Sequence, residues 1–91
     1  MKIEKIIWDE ETFNHIARHA VSPEEVEEIL FNEKDNPIIL KGKGGKYLAY
    51  GQTQGGRYLL IVWVIRYKKT RIITARELTK KEKQYYRRTK R

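Results

Sequence analysis

The sequence predicts an α+β fold, with an antiparallel sheet of about four to five strands, two N-terminal helices and one C-terminal helix. Three observations predict it. Helical spacing of apolar residues, with capping signals, is confined to roughly the first third of the chain. After Asn36-Pro37 the apolar period becomes extended and glycine or lysine pairs punctuate it. A last capping box then stands at Thr79-Lys80-Lys81-Glu82. Ninety-one residues support one core, so residues 1–91 are expected to form a single domain.

Residues 3–8 read as a short strand, and Asp9 as the N-cap of a helix with Glu10 and Glu11 in its first turn, where the helix dipole favours carboxylates. Trp8 before the cap and Phe13 inside the helix form a hydrophobic staple. Phe13, Ile16, Ala17 and Ala20 define the buried stripe, and the helix should end near Ala20. Ser22-Pro23-Glu24-Glu25 is a capping box with proline at the first helical position. Val21 staples onto Val26, and Val26, Ile29 and Leu30 face the core.

Strands are expected over residues 38–40, 47–52, 58–67 and 71–75, joined at Gly42/Gly44/Gly45, at Gly55-Gly56 and at Lys68-Lys69. Such short connections make a meander. The strand Tyr58-Leu-Leu-Ile-Val-Trp-Val-Ile65 is apolar on both faces, so it is central and both faces must be covered. The N-terminal helices cover one; the other needs the C-terminal helix, a dimer mate or a partner. That last helix, from about Lys80, has only Tyr85 and Tyr86 as large apolar surfaces and would be marginal alone.

There is no cysteine, which excludes disulfides, thiolate metal sites and cysteine nucleophiles and fits a reducing compartment. The longest apolar run, Leu59 to Ile65, is too short to span a bilayer, and the N-terminus lacks a signal-peptide core, so a soluble cytoplasmic protein is expected. The net charge of +8 is unevenly placed. Residues 1–35 carry four basic and ten acidic side chains, residues 36–65 a balance of +4, and residues 66–91 twelve basic and two acidic. A field of that sign over the last third attracts a polyanion, although a lysine-rich solubilising surface accounts for the same count.

His15 and His19 have the four-residue spacing of a zinc pair, but Ile16 follows His15 where a zinc protease has glutamate, and no third ligand is indicated. On a helical wheel His19 borders the apolar face and His15 points toward solvent. His19 is therefore a candidate for catalysis, or equally a cation packing at the helix C-terminus. Gly42-Lys-Gly-Gly-Lys46 lacks phosphate-loop spacing, and no nucleophile elbow or carboxylate cluster is present, so catalysis would be metal-free and without a cofactor. Arg66, Arg71 and Arg76 suit phosphate oxygens. Tyr50, Tyr67, Tyr85 and Tyr86 offer rings for unpaired bases, and Lys80, Lys81, Lys83 and Arg87 line the basic helix. Alternation along Arg71-Ile-Ile-Thr-Ala-Arg76 pairs Arg71 with Ile73 on one face and Ile72 with Thr74 on the other. Salt bridges to the acidic N-terminal helices are the alternative role for each arginine.

Trp8-Asp9, Arg18-His19-x-Val21 followed by Glu24-Glu25-Val26-Glu27, Tyr50-Gly51-x-Thr53 with Gly56-Arg57, the apolar strand, and Arg71-Ile-Ile-Thr-Ala-Arg76 running into Lys81-Glu82-Lys83 and Tyr86 stand in an order and spacing that resembles the BrnT family of bacterial toxins. The fold of that family is similar to that of RelE-type ribonucleases. Ala20 stands where the family commonly has glycine, Thr74 where it commonly has serine, and the first-helix segment is one residue shorter. The resemblance implies an RNA-cleaving toxin that arrests translation. It also implies neutralisation by a BrnA-like antitoxin bearing a DNA-binding domain, in a homodimer or a toxin-antitoxin heterotetramer that represses its own operon. In that mechanism Arg66, Arg71 and Arg76 hold the phosphate, His19 or Glu82 serves as base, and Tyr86 stacks or transfers a proton. A non-catalytic nucleic-acid-binding module, or a decayed toxin acting through a partner, is the alternative, and a pure interaction subunit a third.

Overall fold

In the computed structural model, which describes residues 3, 5–31 and 37–90, the chain runs through five strands and three α-helices. They are β1 (Ile6–Ile7), α1 (Glu10–Ala17), α2 (Pro23–Phe31), β2 (Ile38–Lys41), β3 (Tyr47–Gln52), β4 (Tyr58–Arg66), β5 (Lys69–Glu77) and α3 (Lys80–Thr89). The order across the sheet is β1-β5-β4-β3-β2. The expected antiparallel sheet is a mixed one. β2 to β5 form the meander, but β1 pairs in parallel with β5 through Ile6 and Ile7 opposite Thr70 and Arg71. β1 and β5 are joined by the whole intervening chain and not by a hairpin, so no tight turn imposes the antiparallel sense. β1 is also shorter than the strand expected over residues 3–8. Glu4 and Asn36, part of the expected strand and of the expected break, lie outside the described residues.

β4 is the middle strand and feeds two cores. Leu59, Ile61 and Trp63 point to one side, where Ile16 of α1 and Val26, Ile29 and Leu30 of α2 meet them. Leu60 points to the other, where it meets Leu78 and Tyr86. α3 is thus the cover of the second face, and a single buried tyrosine anchors it. Gly51 of β3 lies so close under α2 that an added Cβ would stand 2.6 Å from Ile29 Cγ2.

α1 is shorter than its apolar pattern suggests and buries only Ile16; Phe13, Ala17 and Ala20 are exposed. Phe13 instead stacks on Trp8 with centroids 5.2 Å apart, which is the staple, and Trp8 Nε1 donates to Glu27 of α2. The helix closes with the Val21 amide on the Ile16 carbonyl (3.1 Å) and the Ala20 amide on Ala17 (2.9 Å), the paired bonds of a Schellman end. That closure puts Ala20 in the left-handed region (φ 58°), which a Cβ disfavours. At the other end of the sheet the β4–β5 turn falls on Tyr67-Lys68, φ 53° and 64°, one residue earlier than the lysine pair predicts, because Arg66 and Lys69 are the closing pair.

Two substitutions test this packing in opposite directions. Ala20→Gly should raise the unfolding free energy by about 0.5–1 kcal/mol, since relief of the left-handed penalty exceeds the entropy glycine adds to the unfolded chain. Gly51→Ala should lower it by about 1–3 kcal/mol by forcing Ile29 and α2 outward. Urea denaturation of the three proteins measures both.

Candidate active site

The arginines of β5 do not follow simple alternation. Val62 pairs with Thr74 and Trp63 with Ile72, so Ile73 is an extra residue, a β-bulge. Strict alternation would send Arg71 and Arg76 to opposite faces. With the bulge, Arg71 lies opposite Val64, Thr74 opposite Val62, and Arg76 opposite Leu60, all on the face that α3 shares. Arg66 and Lys69, paired at the hairpin, belong to that face as well. The expected grouping of Arg71 with Ile73 against Thr74 is therefore corrected: Thr74 joins the arginines and the exposed Ile73 is the residue squeezed out.

The two inner arginines differ in how firmly they are held. Arg76 forms a two-pronged pair with Glu82, Nη1 to Oε1 at 2.8 Å and Nη2 to Oε2 at 3.1 Å. Glu82 Oε1 also accepts from the Thr79 amide, and the Thr79 hydroxyl accepts from the Glu82 amide, completing the capping box of α3. The Arg76 guanidinium holds the Glu82 carboxyl below its ordinary range against the opposing effect of burial, with the Thr79 amide assisting. Glu82 has no idle oxygen for a proton and is a weak base in this state. Arg71 has a looser partner, Asp9 at 3.2 Å, with both side chains substantially exposed. A pair in that setting contributes little, so Arg71 can exchange Asp9 for another anion.

α3 brings aromatic rings to the same face. Tyr86 is buried edge-on against Tyr58 (5.8 Å between centroids), and the position proposed for base stacking is a core position. Tyr50 meets Tyr85 at 5.5 Å, and burial, with Glu82 and Tyr85 nearby, pushes its hydroxyl above the usual phenol range. Lys83 and Arg87 lie over the Tyr58 ring at 5.7 and 5.3 Å, whereas Lys80 and Lys81 are exposed. Tyr67, 95 % exposed at the hairpin tip, stands apart from the other tyrosines.

The histidines exchange the roles their spacing gives them. α1 ends at Ala17, so His19 lies in the exposed closing turn and the helical wheel does not apply to it. His15 is half-buried, its Nε2 3.0 Å from Thr74 Oγ1 on the arginine face, with His19 edge-on to it at 5.6 Å. Period alone hides this, because the partner that draws His15 inward is supplied by the bulge.

Other residues of the sequence pattern hold the fold. Arg57 Nη1 donates to the Ala20 carbonyl (2.7 Å) and to both oxygens of Glu25 (2.9 Å each), and Nη2 lies 3.5 Å from Glu77. This fastens the turn between α1 and α2 to the far end of the sheet. Burial pushes the Glu25 carboxyl up, but the Ser22 amide and Arg57 outweigh it and leave it below its ordinary value. Thr53 accepts from the Arg57 amide at 3.1 Å and shapes the β3–β4 loop.

A double-mutant cycle on Arg76→Ala and Glu82→Gln should give a coupling on the order of 1 kcal/mol in unfolding free energy at neutral pH. Because the folded carboxyl titrates below the unfolded value of 4.5, that coupling is fully present above pH 4.5 and is lost as pH falls through the depressed value. Repeating the cycle between pH 7 and pH 3 checks the sign.

The matching protein-family model is described as the ribonuclease toxin, BrnT, of type II toxin-antitoxin systems, and it covers residues 8–82. No curated protein matches the chain. The match runs from the tryptophan that staples α1 to the glutamate that grips Arg76, so it takes in both the helix platform and the arginine strand. On that span, most of its length, the chain belongs to the BrnT family of type II ribonuclease toxins.

Proposed function

We propose that this chain is a metal-independent endoribonuclease that arrests translation, and that it cuts single-stranded RNA laid across the half of the α3-side sheet face nearest the β4–β5 hairpin. The observation that carries the reading is one face of the β4–β5 pair, where the register sets Arg66, Lys69 and Arg71 together, all exposed, beside half-buried Val62 and Val64, and where the bulge at Ile73 adds Thr74 and Arg76. Cleavage without a metal uses the substrate's own 2′-hydroxyl, and needs cations fixed where the phosphorane gains charge. Arg71 is the best placed of them, on a rigid strand with a partner it can release. Arg76 acts through its fork with Glu82, which fixes α3 and the rings of Tyr50 and Tyr85 beside the path. Lys80 and Lys81 extend the basic track.

Membership of a type II family implies an RNA target and an antitoxin partner. We assign the partner to the BrnA-like class, with a DNA-binding domain, in a heterotetramer or around a toxin homodimer. The arrangement of helices about the meander fits a RelE-like fold, and a cytoplasmic site of action follows from the RNA target. No helix among the described residues is long and apolar enough to cross a membrane. A neighbouring gene for a small ribbon-helix-helix protein would support the partner assignment.

Purified protein should cleave a single-stranded RNA in excess EDTA, leaving 2′,3′-cyclic phosphate ends. Arg71→Ala should lower kcat by about 10²–10³-fold with the melting temperature unchanged. Arg76→Ala is the less clean variant, because it also unfastens α3. Binding that weakens with salt, without cleavage of any RNA, would instead identify a nucleic-acid-binding module.

A further inference from the structure

A second group of side chains meets the arginine face at its edge. α1 runs along the stretch of β5 beyond its pairing with β1, and a groove of about 260 Å³ opens between them, lined by Asp9, Glu11, His15, Arg71 and Ile73 among others. His15, on the α1 side of the groove, has its Nε2 3.0 Å from the Oγ1 of Thr74, which follows the groove-lining Ile72 and Ile73 on β5. Thr74 is the first residue after the bulge, between Arg71 and Arg76 on the strand. The groove therefore sets an imidazole on its α1 side across from a guanidinium on its β5 side, with the Thr74 hydroxyl bonded to the imidazole at its edge.

We propose that His15, held by Thr74, is the catalytic base of this site and that it accepts the proton of the RNA 2′-hydroxyl. The inference rests on the ribonuclease reading and names the one part of it that sequence spacing assigned elsewhere. Glu82 is engaged by Arg76 and Thr79, and His19 lies in the exposed turn outside the groove lining, so neither offers a free acceptor beside Arg71. Thr74 can donate to Nε2, which aims the imidazole lone pair at the arginine face. An incoming 2′-hydroxyl takes the place of the threonine proton at that lone pair. The proton passes to Nε2 as the 2′-oxygen bonds to phosphorus, and the P–O5′ bond breaks with its electron pair on the 5′-oxygen. That oxygen takes a proton from water, and the imidazolium then returns its proton to the hydroxide so formed. The products are a 2′,3′-cyclic phosphate and a 5′-hydroxyl. The charged and titratable groups around the imidazole are Asp9 at the N-cap of α1, Glu11 on α1, His19 in the closing turn and Arg71 on β5. Glu11, one turn before His15, can stabilise the imidazolium as it forms.

The test is steady-state cleavage of one short RNA by the full chain and four variants, from pH 5 to pH 9, with melting temperatures recorded. His15→Gln keeps a hydrogen-bonding partner for Thr74 but no base, and is expected to lower kcat by about 10²–10⁴-fold. KM should stay within about twofold, and the acid limb of the pH–rate profile should flatten. Thr74→Val should lower kcat by about tenfold while Thr74→Ser retains it, since serine keeps the hydroxyl. If His15→Gln keeps both rate and acid limb while Arg71→Ala loses activity, the base assignment is overturned and the ribonuclease reading stands. If the wild-type protein cleaves no RNA, the ribonuclease reading fails and takes the base with it.

Discussion

A strand that is apolar on both faces sets the terms for this fold. β4 sends Leu59, Ile61 and Trp63 one way and Leu60 and Val62 the other, and each face left in water would forfeit about 25 cal/mol per Å² of apolar surface. Neighbouring strands satisfy its backbone but cannot cover its side chains. α1 and α2 do so on one side with ordinary aliphatic stripes. On the other, the cover is Leu78 and a helix of lysines and arginines, of which one tyrosine is buried. The remaining anchorage is polar and aromatic: the capping box, the Arg76–Glu82 fork, and the cations over Tyr58.

The same constraint shapes the site. Because the second face is covered by a short, basic helix, the part of it toward the β4–β5 hairpin carries cations and half-buried valines. The bulge at Ile73 then changes the parity of β5, so that Arg71, Thr74 and Arg76 point together. Bulges recur beside active sites because they re-aim side chains at the cost of only a local bend and added twist in the strand. One inserted residue here turns an alternating strand into a surface with three polar groups in line, and it brings α1 into the site through His15.

Much of this architecture was legible from local chemistry. The Trp8–Phe13 staple, the Ser22 and Thr79 boxes and the central position of β4 all follow from neighbours in sequence, and all are present. The departures arise where a distant partner decides. The parallel pairing of β1 depends on β5, where Ile6 meets Thr70 and Ile7 meets Arg71 across most of the chain, and no turn signal encodes it. Alternation gave the wrong grouping for Thr74 because a bulge is a property of two strands together. The histidine wheel failed because the Schellman closure ends α1 before His19, and the glycine that would have marked that closure is Ala20. The basic strand ends mark the arginines as a set, whereas the firmness of each one's partner, Glu82 for Arg76 and Asp9 for Arg71, belongs to the fold.

Arg76 belongs at once to the site strand and, through Glu82, to the first turn of α3. Docking of the helix and placement of that guanidinium are therefore linked equilibria. A ligand whose affinity depends on where Arg76 stands must alter the stability of the docked helix, and a protein that grips the helix must alter that affinity by the same factor. Control of the strand can thus be exerted from the helix, through the ion pair that joins them, without entry into the groove.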